Sequence, residues 1–210
     1  MATRRLTREE RRGQTREQLL DAAGTVFAKR GYAGASVDEI AGEAGFTTGA
    51  LYSNFDGKED LFLSLIERHA ARQMQELADA VGSGPTVEDR ARRGARNWMA
   101  FLQREPELFP LLMEFWAFAV RNPQLRPRFA RQQAHARELV TGLIEAGARE
   151  LDLELTMPAE QLASAIDALA DGLALQRLAD PRAVPEELFG DVLEALFAGA
   201  TKPRSARTRR

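Results

Sequence analysis

Cysteine is absent from the 210 residues. Its absence excludes disulfides, thiolate metal sites and cysteine nucleophiles together, and it fits a reducing cytoplasm. Histidine is nearly absent. His69 and His135 are the only two and fall on different expected helices, so a metal centre has no ligand pair to start from. No long apolar run exists either: the most hydrophobic stretch, 108–120, is shorter than the roughly 20 residues a bilayer span needs and contains Glu114. The N-terminus M-A-T-R-R-L-T-R-E-E-R-R lacks the apolar core of a secretory signal. Strand-like alternation and internal repeats are missing throughout. There is no nucleophile with a nearby base, no metal-ligand spacing and no phosphate-cradling glycine loop, so the chain is not expected to be an enzyme, nor to hold a cofactor or metal. What remains, 44% hydrophobic and 29% charged residues, is an ordinary globular composition. It suffices for one large or two small domains with a sizeable core, and the expectation is a cytoplasmic protein with no membrane contact.

The net charge is small but unevenly placed. Residues 1–16 hold six Arg against two Glu, a net +4, and the last ten hold one Lys and four Arg, a net +5. With −2 overall, the stretch between them stands at −11. A local basic field suffices to attract phosphate, so an acidic total does not exclude a nucleic-acid partner. The basic arm at the N-terminus is suited to tracking a DNA backbone. The run K-P-R-S-A-R-T-R-R at residues 202–210 reads as a disordered, solvated tail or as a second DNA contact.

The chain is organised around residues 36–58, S-V-D-E-I-A-G-E-A-G-F-T-T-G-A-L-Y-S-N-F-D-G-K. Val37, Ile40, Ala41 and Ala44 form one apolar helical stripe, and Ser36 with Glu39 has the form of a capping box. Gly45 suits a tight turn, Thr47 or Thr48 can cap a second short helix, and Asp56 with Glu59 repeats the capping box before a third. This is the helix-turn-helix pattern. On the second helix Leu51 and Phe55 face inward, flanked by Ala50, while Thr48, Gly49, Tyr52 and Ser53 lie opposite. Small polar groups are what a helix needs to lie deep in a major groove. By spacing alone, an ordinary surface face of a helical bundle fits as well.

The run A-G-F-T-T-G-A-L-Y-S-N-F-D-G-K-E-D-L, with T-R-E-Q-L-L-D-A-A-G-T-V-F-A-K-R-G-Y before it, closely resembles the DNA-binding signature of the TetR family. The resemblance covers residues 15–65. It implies base contacts from Thr48, Gly49, Ala50 and Ser53, a cap near a phosphate at Thr47, and backbone phosphate contacts from Ser36, Tyr52, Asn54 and Lys58. Thr48 stands where many relatives carry Lys, Arg or Gln. A threonine cannot make a bidentate guanine contact, so preference there should lean towards a thymine methyl or a single hydrogen bond.

The remaining chain reads as all-α, about nine helices in total. Leu19, Leu20, Ala23, Val26 and Phe27 form the first buried stripe, beginning at Thr7 or only near Thr15, with Gly31 at its end and Tyr32 plugging the small core. A long helix over 59–81 is expected to be the only covalent link from the reading head to the rest. After G-S-G-P at 82–85 come a helix capped by Thr86, a helix over 108–120 apolar on nearly every side and so expected at the centre of its domain, and one reaching residue 148. Two more lie near 158–178 and 185–198. The expected boundaries are 1–58 for DNA binding, 59–200 for ligand binding and dimerisation, and 201–210 for the tail.

Trp98, Phe101, Phe109, Phe115, Trp116 and Phe118 cluster in a chain only 7% aromatic. They read as a heavy core or as the lining of a cavity for an apolar ligand; the resemblance favours the cavity, with Trp98, Phe101, Phe115, Trp116, Phe118 and His135 as ligand-binding candidates and Glu114 and Gln176 as further polar contacts. The last two helices suit a dimer as a four-helix bundle, or packing within their own domain. The resulting expectation is a homodimeric repressor that binds a pseudo-palindromic operator and is released by a small, largely apolar effector. A corepressor-dependent regulator, an activator and a ligand-independent architectural DNA binder are the alternatives.

Overall fold

The computed structural model describes residues 7–204; Arg4 and Arg5 of the basic arm and residues 205–210 of the expected tail lie outside them. Among the described residues the elements run α1 (Arg8–Gly34), α2 (Val37–Glu43), α3 (Thr48–Tyr52), α4 (Lys58–Gly82), α5 (Val87–Arg104), α6 (Leu108–Arg121), α7 (Arg126–Glu150), β1 (Leu153–Leu155), α8 (Ala159–Ala179), α9 (Leu188–Ala200) and β2 (Thr201–Pro203). The all-α class and the count of nine helices hold, and no described helix is long and apolar enough to cross a membrane.

The helix starts follow their capping chemistry. Thr7 Oγ1 accepts from Glu10 N at 3.1 Å while the Glu10 carboxylate accepts from Thr7 N at 2.8 Å. The first helix therefore starts from a cap at Thr7 rather than near Thr15, and Arg8, Arg11 and Arg12 stand on it. Ser36, Thr47 and Thr86 each accept an amide three residues on. The capping box expected at Asp56 and Glu59 does not form. Gly57, at φ +121, precedes α4, and Asp60 rather than Glu59 reaches back, accepting from Asp56 N at 3.0 Å.

The chain divides into two compact units that cut across the expected linear boundary. The first takes the residues up to 69 together with 107–129; the second takes 70–106 and everything from 130. The chain thus crosses between units three times, at 69–70, 106–107 and 129–130, so α4 is not the only covalent link.

In the first unit Leu19, Leu20, Ala23, Val26 and Phe27 of α1 bury against Ile40, Leu51, Phe55, Leu61, Phe62 and Leu65. Leu111, Phe115 and Ala119 of α6 join the same core, one face of that helix at i, i+4, i+8. Phe115 stacks on Phe62 with centroids 4.2 Å apart, and Tyr32 meets both rings edge-on. The helix expected at the centre of the C-terminal domain is therefore a wall of the N-terminal one. Its other side remains exposed, with Phe118 at 39% and Val120 at 50%.

In the second unit Ala91 and Ala95 of α5 pack against Ala170 of α8 and Phe189 and Leu193 of α9. The small side chains bring α5 and α9 close together, and Arg92 pairs with both Asp191 and Glu194. β1 and β2 pair antiparallel in the register Leu153↔Pro203, Glu154↔Lys202, Leu155↔Thr201. Residues 201–203, expected in the tail, are thereby part of the fold.

Candidate DNA interface and effector cavity

The reading head is assembled as its sequence requires. Gly45 turns between α2 and α3 at φ +73. Leu51 and Phe55 are fully buried, while Gly49, Tyr52 and Ser53 are exposed and Thr48 and Ala50 half-buried. Ser36 and Thr47 are exposed cap residues. Tyr52, 58% exposed, is the largest apolar surface on the face. An aromatic ring held out in water beside a glycine and hydroxyls suits an external partner better than a solvated surface.

The hydrogen bonds divide the expected contact residues. Thr48 Oγ1 donates to Asp38 Oδ1 at 2.7 Å, so its hydroxyl hydrogen is committed and its methyl is what it can offer. Ser53 Oγ donates to Ala50 O at 2.7 Å, and Asn54 Nδ2 donates to Ala50 O and to Ser53 Oγ. These bonds close the last turn of α3, and they leave Asn54 no free donor for a phosphate. Lys58 departs furthest from expectation. Its Nζ donates to Tyr32 O at 2.9 Å, Ala35 O at 3.0 Å and Ala33 O at 3.5 Å, and lies over the Tyr32 ring. Its three donors are spent inside the unit, so the phosphate contact expected of it lacks a donor.

The α1–α2 turn, residues 31–35, is held from two sides. Lys58 of α4 covers its carbonyls; Glu114 of α6 accepts from Tyr32 N at 3.0 Å and Ala33 N at 2.8 Å. Burial first and the Glu59 carboxylate second push the Tyr32 phenol well above its ordinary range, so it stays neutral. The end of α3 is also tied from α1, because Arg12 donates to Ser53 O and Arg16 to Asn54 O. These anchors were not foreseen, since nothing in a linear pattern announces a bond across some forty residues.

The second unit holds a partly open cavity of about 220 Å³. Its wall is chiefly aliphatic, from Leu77, Val81, Val140, Leu143, Ile144 and Ile166, with Leu155 and Thr201 of the small sheet contributing. Of the six ligand candidates only Trp98 lines it. Phe101 is buried and stacked on Trp98, whereas Phe115, Trp116 and Phe118 belong to the first unit. The His135 side chain is 69% exposed, 3.7 Å from Glu138. Neither Glu114 nor Gln176 lines the cavity. The polar groups in its wall that the sequence reading missed include Gln73, Arg90, Asn97, Arg137 and Asp167. One signal was available: A-I-D-A-L-A-D-G at 165–172 puts two carboxylates one turn apart on an otherwise apolar helix.

Residues 19–65 match the bacterial regulatory proteins, tetR family, and residues 87–201, more than half of the chain, match the C-terminal domain of BetI-type transcriptional repressors. The HTH-type transcriptional activator FasR of Mycolicibacterium smegmatis is 34% identical over 110 residues, 52% of this chain and 48% of that protein. The HTH-type transcriptional repressor AcnR of Corynebacterium efficiens is 27% identical over 192 residues, 90% of this chain and 94% of that one. Among solved structures, the transcriptional regulator FadR from Bacillus subtilis in complex with stearoyl-CoA superposes with a TM-score of 0.69 at 18% identity, over 86% of this chain and 96% of that one. The chain belongs to the TetR family of transcriptional regulators, with a C-terminal domain of the BetI type.

Proposed function

We propose that the protein is a homodimeric, ligand-responsive repressor acting in the cytoplasm: it binds a pseudo-palindromic operator through α3 and releases it when a small apolar molecule enters the cavity of the second unit. The observation that carries this reading is α3 with the turn after it: Leu51 and, beyond the helix end, Phe55 are wholly buried, while Gly49, Tyr52 and the C-cap Ser53 stand exposed. Tyr52, Thr47 and Ser36 offer hydroxyls to the backbone, the Thr48 methyl and Ala50 offer apolar contact to base edges, and the exposed Arg8 and Arg11 extend the basic surface. Capping already occupies acceptors on Ser36 and Thr47, which leaves their hydroxyl hydrogens for phosphate oxygens.

A head this small needs a twin about 34 Å away to gain affinity. Exposed Leu175 and Leu178 on α8, beside exposed Ala165 and Ala168, and Ala195 and Ala198 on α9, favour pairing through these two helices. FadR, at its low identity, argues only that a fold of this kind can hold a ligand. The same parts with the opposite sign would make an activator, and a transcription readout with and without effector sets the sign.

Capture of genomic fragments by the purified protein, followed by sequencing, tests the reading. Enriched fragments should share an inverted repeat, and Tyr52→Ala should weaken binding to all of them. Fragments with no common motif would leave an architectural DNA binder instead. Lys58→Met should lower thermal stability yet leave the salt dependence of binding unchanged, because each lost phosphate contact changes the slope of log K against log salt by about one.

A further inference from the structure

The polar groups in the cavity wall differ in what they already hold. Arg90 is committed: Nε donates to Gly84 O and Nη1 lies 2.8 Å from Glu150 Oε2. Gln73 Nε2 donates to Asn97 Oδ1 at 2.7 Å, so each amide satisfies part of the other. Asp167 on α8 stands apart. Among the described residues its carboxylate accepts no hydrogen bond and joins no ion pair, although it is half-buried in an aliphatic wall. Burial raises its pKa above the ordinary carboxylate value, and the field of Arg137 only opposes that effect.

Asp167 and Arg137 are the two charged side chains of this wall with no hydrogen bond or ion pair among the described residues, although the field of Arg137 reaches Asp167, and their reach decides between them. Arginine carries its charge on a long stem and can keep the guanidinium in water while its methylenes line the cavity. Aspartate has one methylene and cannot withdraw. A desolvated acceptor without donors is the costly group, and a cation brought into a low-dielectric cavity relieves it. An anionic head would add a second negative charge to the same wall.

We propose that the effector is a lipophilic cation, an apolar body that fills the cavity with a protonated amine or quaternary ammonium head set against Asp167. This assignment rests on the ligand-responsive reading above and names the chemistry of that site.

The test is calorimetric titration of the full-length protein with three probes that share one chain and differ in head group: n-octylammonium, n-octanol and n-octanoate. The ammonium should bind at least roughly ten-fold more tightly than the alcohol, the size expected of a charge-assisted contact. Asp167→Asn should remove that advantage, with n-octanol titrated into the same variant to check that the cavity still takes a ligand; Asp167→Glu should retain it. Tightest binding of n-octanoate, improved by Asp167→Asn, would overturn the proposal in favour of an acyl anion held by Arg137. Equal binding of ammonium and alcohol would overturn it too. In both cases the cavity still takes a ligand and the repressor reading survives. Failure of all three probes would remove the effector site itself, and this assignment with it. Should Asp167→Asn fail to fold, the head-group series on the unmodified protein decides alone.

Discussion

Gly31 and Gly45 share nearly one backbone angle, φ +70 and +73, in different surroundings. An added Cβ at Gly45 meets nothing within 4 Å, whereas at Gly31 it would lie 2.8 Å from Glu114 Oε2. Gly45→Ala should therefore cost only the left-handed strain of an alanine, roughly 1 kcal/mol. At Gly31 the carboxylate must also move, and it cannot do so without leaving Tyr32 N and Ala33 N. Those amides can recover water, so the added loss is about 1 kcal/mol. Urea unfolding of both variants measures the contrast, and adding Glu114→Ala to each should reduce it, leaving the backbone strain of an alanine at φ 70, ψ 171, a region essentially reserved for glycine. Asp171 makes a prediction in pH. Burial first, then the Asp167 charge one turn away, raise its pKa from 3.8 to about 6. A carboxyl whose folded pKa is raised favours the folded state when protonated, so its contribution is full below pH 3.8 and is lost as pH rises through about 6. Asp171→Asn should raise the melting temperature above that window and change it little below pH 4, as thermal scans across pH would read.

Among the elements, α3 and α6 mark what a linear pattern reveals. Both faces of α3 were legible because the period and side-chain types agree: Leu51 and Phe55 are apolar at i and i+4, and Gly49, Tyr52 and Ser53 are not. The caps at Ser36, Thr47 and Thr86 were legible because they are local. For α6 the pattern L-F-P-L-L-M-E-F-W-A-F-A-V correctly announced burial but could not say against what. Its partners, Phe27, Tyr32 and Phe62, lie some fifty to ninety residues earlier, and the apolar side chains of two domains look alike in a sequence. For the same reason the aromatic group was read as one chamber, although Trp98 and Phe101 lie in one unit and Phe115, Trp116 and Phe118 in the other. The bonds of Lys58 were not legible, because a basic residue after a reading helix looks like a phosphate contact, and the three carbonyls that hold it come from a turn over twenty residues away. The placement of α6 has a measurable consequence. Phe115→Ala deletes a ring that is fully buried against Phe62, Tyr32 and Phe129 and should cost about 3–5 kcal/mol. Its first effect should be loss of operator binding at temperatures where the parent is folded, while n-octanol still titrates into the cavity of the other unit. Loss of probe binding with operator binding retained would contradict the assignment of α6 to the reading unit.

For the whole molecule, the question is which surface joins two copies. Leu193 of α9 is an unsuitable place to probe it, since it is 3% exposed, packs on Ala91 and Ala95 and lines the cavity. A charge there would disrupt the second unit, and loss of a dimer would follow for the wrong reason. Leu175 and Leu178, by contrast, are 47% and 48% exposed one turn apart on α8. A leucine pair in water on a helix that also exposes Ala165 and Ala168 is idle in one chain and useful at a two-fold axis, where each leucine meets its own counterpart. Close approach is possible there because a Cβ at Gly172 or Gly199 would meet nothing within 4 Å. Leu175→Glu with Leu178→Glu should therefore leave helix content nearly unchanged, because surface substitutions cost within about 0.5 kcal/mol, while the melting temperature falls by the lost association energy and ceases to depend on protein concentration. Sedimentation should nevertheless show monomers, since four carboxylates would be crowded at the axis. Operator affinity should fall steeply, because each head alone binds only a half-site, while n-octylammonium binding persists if the cavity belongs to a single chain. A dimer that survives both substitutions would place the interface on another surface.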